Sequence, residues 1–328
     1  MLVLAALISC SRHAEVTPHV AYENANLLFI GGELEKTKTE ARRRVDEFQY
    51  SNPDWAWKFR ILEAKAALWQ GLFRDVLSLL QQPSPIAKPD LAIPTLTLLG
   101  VAHAHLQQYP DAERSLRQAT DLCAKYPDPA CGDVLQARGL LASEQGNSTS
   151  AEELYRFTLS FARVHHDQFL ESTASLNLGA ESLAQARFDD AIDRSKDALQ
   201  AANAAGARIV EALARGNIGW ASYRLGDSDR ALELFLDAVK SVSAPQDFVD
   251  QGIFLTDAGY VYMDAHSLSL AEQSFQQALE LEKQASSQEH IYNALRALAR
   301  FELQSGNPDK ANDFAGHALD IARDSHNH

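Results

Sequence analysis

The sequence is short of positive charge, of long apolar runs and of strand-like patterns. Its 328 residues include 30 Lys and Arg against 44 Asp and Glu, a formal net charge of −14. This balance argues against a nucleic-acid partner, because phosphate binding needs a basic stripe. No internal run reaches the roughly 18 apolar residues that cross a bilayer, and no stretch alternates apolar and polar residues as a half-buried strand does. The composition therefore predicts an all-α protein.

Residues arranged for catalysis or for metal binding are also scarce. The chain contains no phosphate loop, no dinucleotide-binding glycine fingerprint, no H-E-x-x-H and no G-x-S-x-G. His103 and His105 are two positions apart on a predicted helix, so they point to different faces and cannot share a metal ion well. Cys123 with a distant histidine could form a nucleophilic pair, but a cysteine between two helices is usually part of the packing. We therefore expect no enzyme, no cofactor and no metal site.

A pattern of small residues recurs six times with a step of 39 residues once and 40 residues four times. A glycine or alanine is followed by an alanine twelve residues later, and a third small residue follows seven positions after that. The sets are Gly100, Ala112 and Ala119; Gly139, Ala151 and Thr158; Gly179, Ala191 and Ala198; Gly219, Ala231 and Ala238; Gly259, Ala271 and Ala278; and Ala299, Ala311 and Ala318. A fixed period in this range indicates one supersecondary unit stacked on itself.

The spacing predicts a helical hairpin as that unit. Twelve residues suffice to leave one helix, turn and return on an antiparallel helix. We expect the glycine and the returning alanine to meet at the helix crossing, where the two backbones come close. Glycine-containing turns extend the count upstream, so we predict about eight hairpins, with degenerate repeats over 21–82 and regular repeats of period 39–40 over 90–325. Such an array is one elongated domain that acts as a surface.

The residues of these units resemble a known repeat. Leu178-Gly179 and Ile218-Gly219, followed by A-x-x-x-F-x-x-A from Ala231 and again from Ala271, are similar to the tetratricopeptide repeat. The resemblance implies a right-handed αα superhelix (solenoid) whose first helices line a concave wall. The repeats here are longer than the 34 residues of that family, so the pitch of the superhelix is open. Other helical repeats such as HEAT have a similar length, but they do not share this Gly-to-Ala phasing.

The N-terminus resembles a bacterial lipoprotein signal. Residues 2–8 are wholly apolar, and Leu7-Ile8-Ser9-Cys10 is similar to a lipobox, in which the cysteine is acylated. The pattern departs from the family because the apolar run is short and no Lys or Arg precedes it. The resemblance implies a signal segment over 1–10, lipidation of Cys10, a tether over 11–20, and a location in the cell envelope. The alternative is an apolar half-helix with an incidental cysteine and a cytoplasmic protein.

Two further cysteines lie eight residues apart. Cys123 falls at the end of one predicted helix and Cys131 at the start of the next, with two prolines between them. If the chain is exported, an oxidising compartment permits a disulfide between them. Two buried thiols at the boundary between helices are the alternative.

Nine residues on the first helices of successive units are candidates for binding a partner. The positions two residues before the glycines are polar and fall in one row, where they could bond an extended peptide backbone. Aromatic and cationic residues, which dominate interface energies, stand close by. The candidates are Asn177, Asn217 and Asp257 in the polar row, Trp220 and Tyr260 with Arg300 just after the glycine positions, and Tyr223, Arg224 and Arg296 one turn away. The alternative is that these side chains only pack or bridge helices.

The segment from Trp55 to Ala64 (WAWKFRILEA) is similar to the front of bacterial lipoprotein-type repeat proteins that continue into a caspase-like CHAT peptidase domain. Those enzymes need a histidine–cysteine pair in a downstream α/β domain, and this chain contains nothing of that kind. The resemblance therefore implies only a repeat arm.

Together these observations predict a non-catalytic scaffold that binds a protein or peptide in a concave groove and touches a membrane only through a lipid anchor. The alternatives are a regulatory arm of a CHAT-type cysteine peptidase system and a cytoplasmic peptide sensor. No separate capping helix follows the last repeat, so we also expect self-association or a covering partner at the C-terminal end.

Overall fold

The computed structural model describes residues 17–81, 88–241, 248–285 and 288–326, and in these ranges it contains helices and no strand. There are sixteen helices in the described ranges: α1 (Pro18–Ile30), α2 (Leu34–Phe48), α3 (Pro53–Trp69), α4 (Phe73–Leu80), α5 (Pro89–His105), α6 (Tyr109–Lys125), α7 (Cys131–Glu144), α8 (Ser148–His165), α9 (Gln168–Ala184), α10 (Phe188–Ala205), α11 (Arg208–Arg224), α12 (Ser228–Ser241), α13 (Phe248–Asp264), α14 (Leu268–Ala285), α15 (Gln288–Gln304) and α16 (Pro308–His326). The predicted all-α class is confirmed.

The helices form eight antiparallel hairpins, each an odd-numbered helix followed by an even-numbered one. A residue with a left-handed backbone ends each odd-numbered helix and starts the turn, because this conformation closes a helix and redirects the chain. The eight positions are Gly32, Gly71, Gln107, Gly146, Ala186, Gly226, His266 and Gly306, and the last five are evenly spaced by forty residues. The predicted count of hairpins and their period are confirmed.

The first helix begins inside the tether that was predicted over 11–20. Pro18 occupies the first turn, where its missing N–H is not needed, and the Thr17 hydroxyl accepts a hydrogen bond from the backbone N–H of Val20. These signals start α1 three residues before the predicted boundary, so that boundary was wrong. The signal segment 1–10 and Cys10 lie outside the described residues. No described helix combines the length and the apolar character that a membrane span requires.

The repeated glycines face large side chains rather than the returning alanines, which corrects the expected crossing. A Cβ built on Gly219 would lie 2.7 Å from the ring of Phe235, and one on Gly259 would lie 2.5 Å from the ring of Phe275. The contacted residue is sixteen positions after the glycine, one helical turn beyond the alanine. The glycine therefore makes room for the aromatic residue of A-x-x-x-F, while Ala231 and Ala271 are buried on the same face.

The odd-numbered helices form the inner layer of the array. Each odd-numbered helix contacts the next odd-numbered one, from α1 to α15, in addition to its own hairpin partner and the preceding even-numbered helix. Neighbours that touch along one layer approach most closely on the concave side of a curved stack. The even-numbered helices accordingly form the outer layer.

The superhelix closes on itself between the first and sixth hairpins. Ile209, at the start of α11, belongs to the same core cluster as Phe29, Leu34 and Phe59 of the first two hairpins. A Cβ on Gly32 would lie 2.9 Å from Ile209, and Arg208 lies 3.8 Å from the carboxylate of Glu33. We refer to the packing of Gly32 and Glu33 on Arg208 and Ile209 as the closure contact. It turns the first half of the groove into an enclosed space.

Candidate functional site on the inner surface

A cavity of about 240 Å³ lies inside the closed half of the superhelix, and we refer to it as the inner cavity. Residues from α1, α3, α5, α7 and α9 line it. Its wall is mainly apolar, with Leu68, Leu98, Val101 and Leu140 among the lining side chains. A concave, largely apolar space with a few polar groups is the usual form of a ligand site.

Three aromatic rings form one end of the inner cavity. The centroid of Phe29 lies 6.1 Å from that of Trp69 and 5.7 Å from that of Phe169, and Trp69 lies 5.9 Å from Phe169. The rings meet edge-on or tilted, the arrangement that aromatic quadrupoles favour. They come from three different hairpins, so the closure of the superhelix is what brings them together.

An ion pair crosses the polar side of the inner cavity. The Lys65 ammonium lies 3.2 Å from a carboxylate oxygen of Asp133, and this carboxylate raises the pKa of the Lys65 side chain. Next to the pair, the Thr173 hydroxyl donates a hydrogen bond of 3.0 Å to the side-chain oxygen of Gln136. The charges and the amide oxygen are thus satisfied by neighbours within the wall.

Asn177 is the predicted binding residue that faces the inner cavity. It is half-buried on α9, and its side-chain amide makes no hydrogen bond to any described residue. The amide offers two donors and one acceptor. Asn177 therefore keeps its full hydrogen-bonding capacity for a ligand.

The other two members of the predicted polar row make internal contacts. The Asn217 amide donates a hydrogen bond of 3.5 Å to the backbone carbonyl of Leu176 on the preceding inner helix. Asp257 is only 8 % exposed and accepts a hydrogen bond from the Trp220 indole. Burial raises the pKa of Asp257 to about 8. The expectation of one row of three open side chains was therefore wrong, because adjacent inner helices are close enough for these groups to bond one another.

A second cavity, also of about 240 Å³, lies between α13, α14 and α15, and Asp257, Tyr260 and Arg296 line it. These are three of the nine predicted residues. Glu282, His290 and Asn293 complete its polar lining. The predicted groove is thus divided into two spaces, with Asn177 in the inner cavity and this trio in the second cavity.

The remaining predicted residues form an aromatic and cationic ridge between the two cavities. Trp220 lies 5.5 Å from Tyr223 and 6.4 Å from Tyr260 between ring centroids. The exposed guanidinium groups rest on rings: Arg300 on Tyr260 at 5.5 Å, Arg296 on Tyr292 at 5.4 Å and Arg224 on Phe188 at 4.9 Å. The Tyr223 hydroxyl donates to Asp264, and burial is the main cause that raises its pKa to about 12. The predicted neighbourhood of rings and cations is present.

A disulfide joins Cys123 at the end of α6 to Cys131 at the start of α7, with 5.8 Å between the two Cα atoms. It connects the third hairpin to the fourth. Elsewhere, no three metal-ligating side chains gather at one place within the ranges that the structure describes.

Sequence reasoning missed the aromatic end of the inner cavity. Phe29 and Trp69 stand near the C-terminal ends of α1 and α3, whereas Phe169 stands near the N-terminal end of α9. The three residues have no common register in the repeat, so periodicity does not connect them. An aromatic residue just before the turn glycine, present at Trp69 and close to Gly32 at Phe29, was the available signal.

Comparison with known structures supports the architecture at low sequence identity. The complex Cut9–Hcn1 of the APC/C matches with a TM-score of 0.70 and 14% identity over 95% of this chain and 55% of that one. A Rap protein complexed with Competence and Sporulation Factor matches with a TM-score of 0.62 and 11% identity, over 94% and 99%. A Pyrococcus horikoshii signal transduction ATPase with a tetratricopeptide repeat sensor matches with a TM-score of 0.59 and 17% identity.

The chain has the fold of a tetratricopeptide-repeat solenoid. It covers 92% of itself in the match to the Pyrococcus protein but spans only 47% of that protein's length. The family model for the N-terminal domain of EccA1, a protein of the ESX-1 type VII secretion system, matches residues 31–160, which is less than half of this tetratricopeptide-like chain. No curated protein matches its sequence.

Proposed function

We propose that this tetratricopeptide-like protein is a non-catalytic scaffold that binds a segment of a protein or peptide in the inner cavity. The observation that carries the proposal is the enclosed apolar space that ends in three aromatic rings and holds the open amide of Asn177. Buried aromatic residues and an available backbone-bonding group are the features of anchoring sites in interfaces. The relatives in fold support it, since one of them is a Rap protein complexed with a factor.

Photo-cross-linking from the cavity wall tests this function. A photoreactive amino acid replaces Leu140, which lines the inner cavity, and a control chain carries it at Val164, which is 72 % exposed on the outer helix α8. After irradiation in cells that express the full chain, we expect an adduct from position 140 that position 164 does not give. The same adducts from both positions, or none from position 140, would contradict the proposal. A cysteine peptidase as the cross-linked partner would favour the regulatory-arm alternative.

We further propose that the protein is lipid-anchored on the extracytoplasmic side of the membrane. The support is the lipobox-like sequence at Cys10 together with the disulfide between Cys123 and Cys131, since disulfides persist in oxidising compartments. Membrane fractionation with and without globomycin, which blocks lipoprotein signal cleavage, tests the anchor with Cys10→Ala as its matched control. Thiol alkylation before and after reduction tests the compartment. A soluble protein insensitive to globomycin, with free Cys123 and Cys131, would instead indicate a cytoplasmic sensor.

A further inference from the structure

We propose that the inner cavity receives one neutral aromatic side chain of the bound segment, and that Asn177 bonds the peptide group next to it. This inference rests on the proposed function, because it specifies which chemistry the same site selects. It commits the partner to a Trp, Tyr or Phe residue as its anchor.

The shape and composition of the cavity wall argue for a ring. Phe29, Trp69 and Phe169 already meet pairwise at 5.7–6.1 Å between centroids in tilted or edge-on pairs. An added ring at this end contacts all three in the offset geometries that aromatic pairs prefer. An aliphatic side chain fills space there but does not use the ring edges.

The volume is suited to one ring. An apolar cavity of about 150 Å³ holds benzene in another protein, and the inner cavity is larger, at about 240 Å³. The difference leaves room for the larger rings of Tyr and Trp and for the main chain that carries them. The space is too small for a continuous stretch of peptide, so the rest of the segment must lie outside it.

The electrostatics of the wall argue against a charged anchor. The two facing charges, Lys65 and Asp133, are 3.2 Å apart and neutralise each other, and Gln136 accepts the hydroxyl proton of Thr173. A charged side chain in this space has to compete with the existing ion pair and loses its own hydration. A neutral ring leaves the pair intact.

Asn177 supplies the polar contact that fixes the orientation of the segment. Its amide lines the inner cavity and bonds no described residue, so it can donate to the carbonyl and accept from the N–H of a ligand's backbone. Asn217, in the same position of the next repeat, already donates to Leu176. The pair of asparagines is therefore a matched comparison between an open and an occupied amide.

Selection from a phage-displayed library of random twelve-residue peptides on the full chain tests the proposal. We expect the enriched peptides to share an aromatic residue at one fixed position with no charge requirement at that position. Synthetic copies of a selected peptide in which this residue is Ser or Lys should bind at least about tenfold more weakly. Asn177→Ala and Phe169→Leu should each weaken binding by about tenfold, whereas Asn217→Ala should not change it. Circular dichroism checks that each variant is folded.

The outcomes separate this inference from the proposed function. Peptides that need Asn177 and Phe169 but carry a charged or aliphatic anchor would overturn the aromatic anchor and keep the cavity as the binding site. Peptides whose binding ignores both variants, or the absence of any enriched peptide, would overturn the inference. Photo-cross-linking from position 140 then decides independently whether the cavity binds a partner.

Discussion

Asp257 has a pKa that burial, rather than a charged neighbour, determines. The ordinary carboxyl pKa of 3.8 rises to about 8, and the hydrogen bond from Trp220 opposes part of this shift. Below about pH 4 both the folded and the unfolded chain hold the proton. Between pH 4 and 8 only the folded chain holds it, so the free energy of unfolding falls as the pH rises and the contribution is lost above pH 8.

Asp257→Asn should remove this pH dependence, because the amide keeps an acceptor for Trp220 but has no proton to lose. Each pH unit between pH 5 and 8 should widen the difference in unfolding free energy between variant and wild type by up to about 1.4 kcal/mol. Urea unfolding at pH 5, 6.5 and 8 measures it. Asp237→Asn, on an exposed side chain paired with Lys240, is the control and should show no such trend. A constant difference across pH would contradict the buried carboxyl.

Gly259 and Gly316 should respond in opposite ways to alanine. The new methyl group at position 259 would meet the ring of the fully buried Phe275 at 2.5 Å, whereas position 316 has no atom within 4 Å. We expect Gly259→Ala to destabilise the chain by about 1–3 kcal/mol through overpacking. Gly316→Ala should stabilise it by about 0.5–1 kcal/mol, because alanine suits an exposed helix interior better. Urea midpoints compare the two, and equal shifts would show that the glycine does not make room for the ring.

At the scale of the elements, the eight hairpin turns share one backbone conformation but not one residue type. Five of them place glycine at the left-handed position, whereas Gln107, Ala186 and His266 adopt it with positive φ angles of 57°, 56° and 58°. A side chain in this region is strained, and glycine is not. The turns therefore differ in stability although their geometry is the same.

Ala186→Gly should relieve this strain and raise the unfolding free energy by about 0.5–1 kcal/mol. Gly226→Ala, the reverse change in the next hairpin, should lower it by about 1 kcal/mol. No atom lies within 4 Å of a Cβ at position 226, so the effect there comes from the backbone alone. Thermal unfolding of both variants measures the shifts, and a loss of stability in Ala186→Gly would be evidence against the strain.

Local patterns sufficed to predict the elements, but not the contacts between distant ones. Gly219 and Ala231 mark a hairpin because both the period and the small residues are written in adjacent sequence. The role of Gly219 was misassigned because the alanine register does not reveal which neighbour is largest, and Phe235 lies one turn further on. The polar row was only partly useful, since the distance between inner helices decides whether Asn217 bonds Leu176 or a ligand. The inner cavity depends on the closure contact, which no repeat pattern encodes.

For the whole molecule, the closure contact determines whether the inner cavity is enclosed. Ile209 is 5 % exposed and packs where Gly32 leaves no side chain. Ile209→Asp should detach the first hairpin, with a loss of about 1.5–3 kcal/mol of apolar burial at least, and should increase the radius of gyration in small-angle X-ray scattering. Ile209→Val keeps an apolar contact and should scatter like the wild type. Leu319→Asp, at an exposed site on α16, controls for the added charge. Identical scattering from Ile209→Asp would show that other contacts hold the ring together.

The closure contact also imposes an order on biosynthesis. Most hairpins of this array can pack as soon as their immediate neighbours leave the ribosome, but Gly32 has to wait for Ile209, which is made roughly 180 residues later. At about 5–20 residues per second, this delay lasts on the order of 10–35 seconds. During that interval Phe29 and Trp69 are nascent-chain surface without their partner Phe169. The part of the molecule that is synthesised first is therefore among the last to be completed, and it is where we expect chaperones to bind.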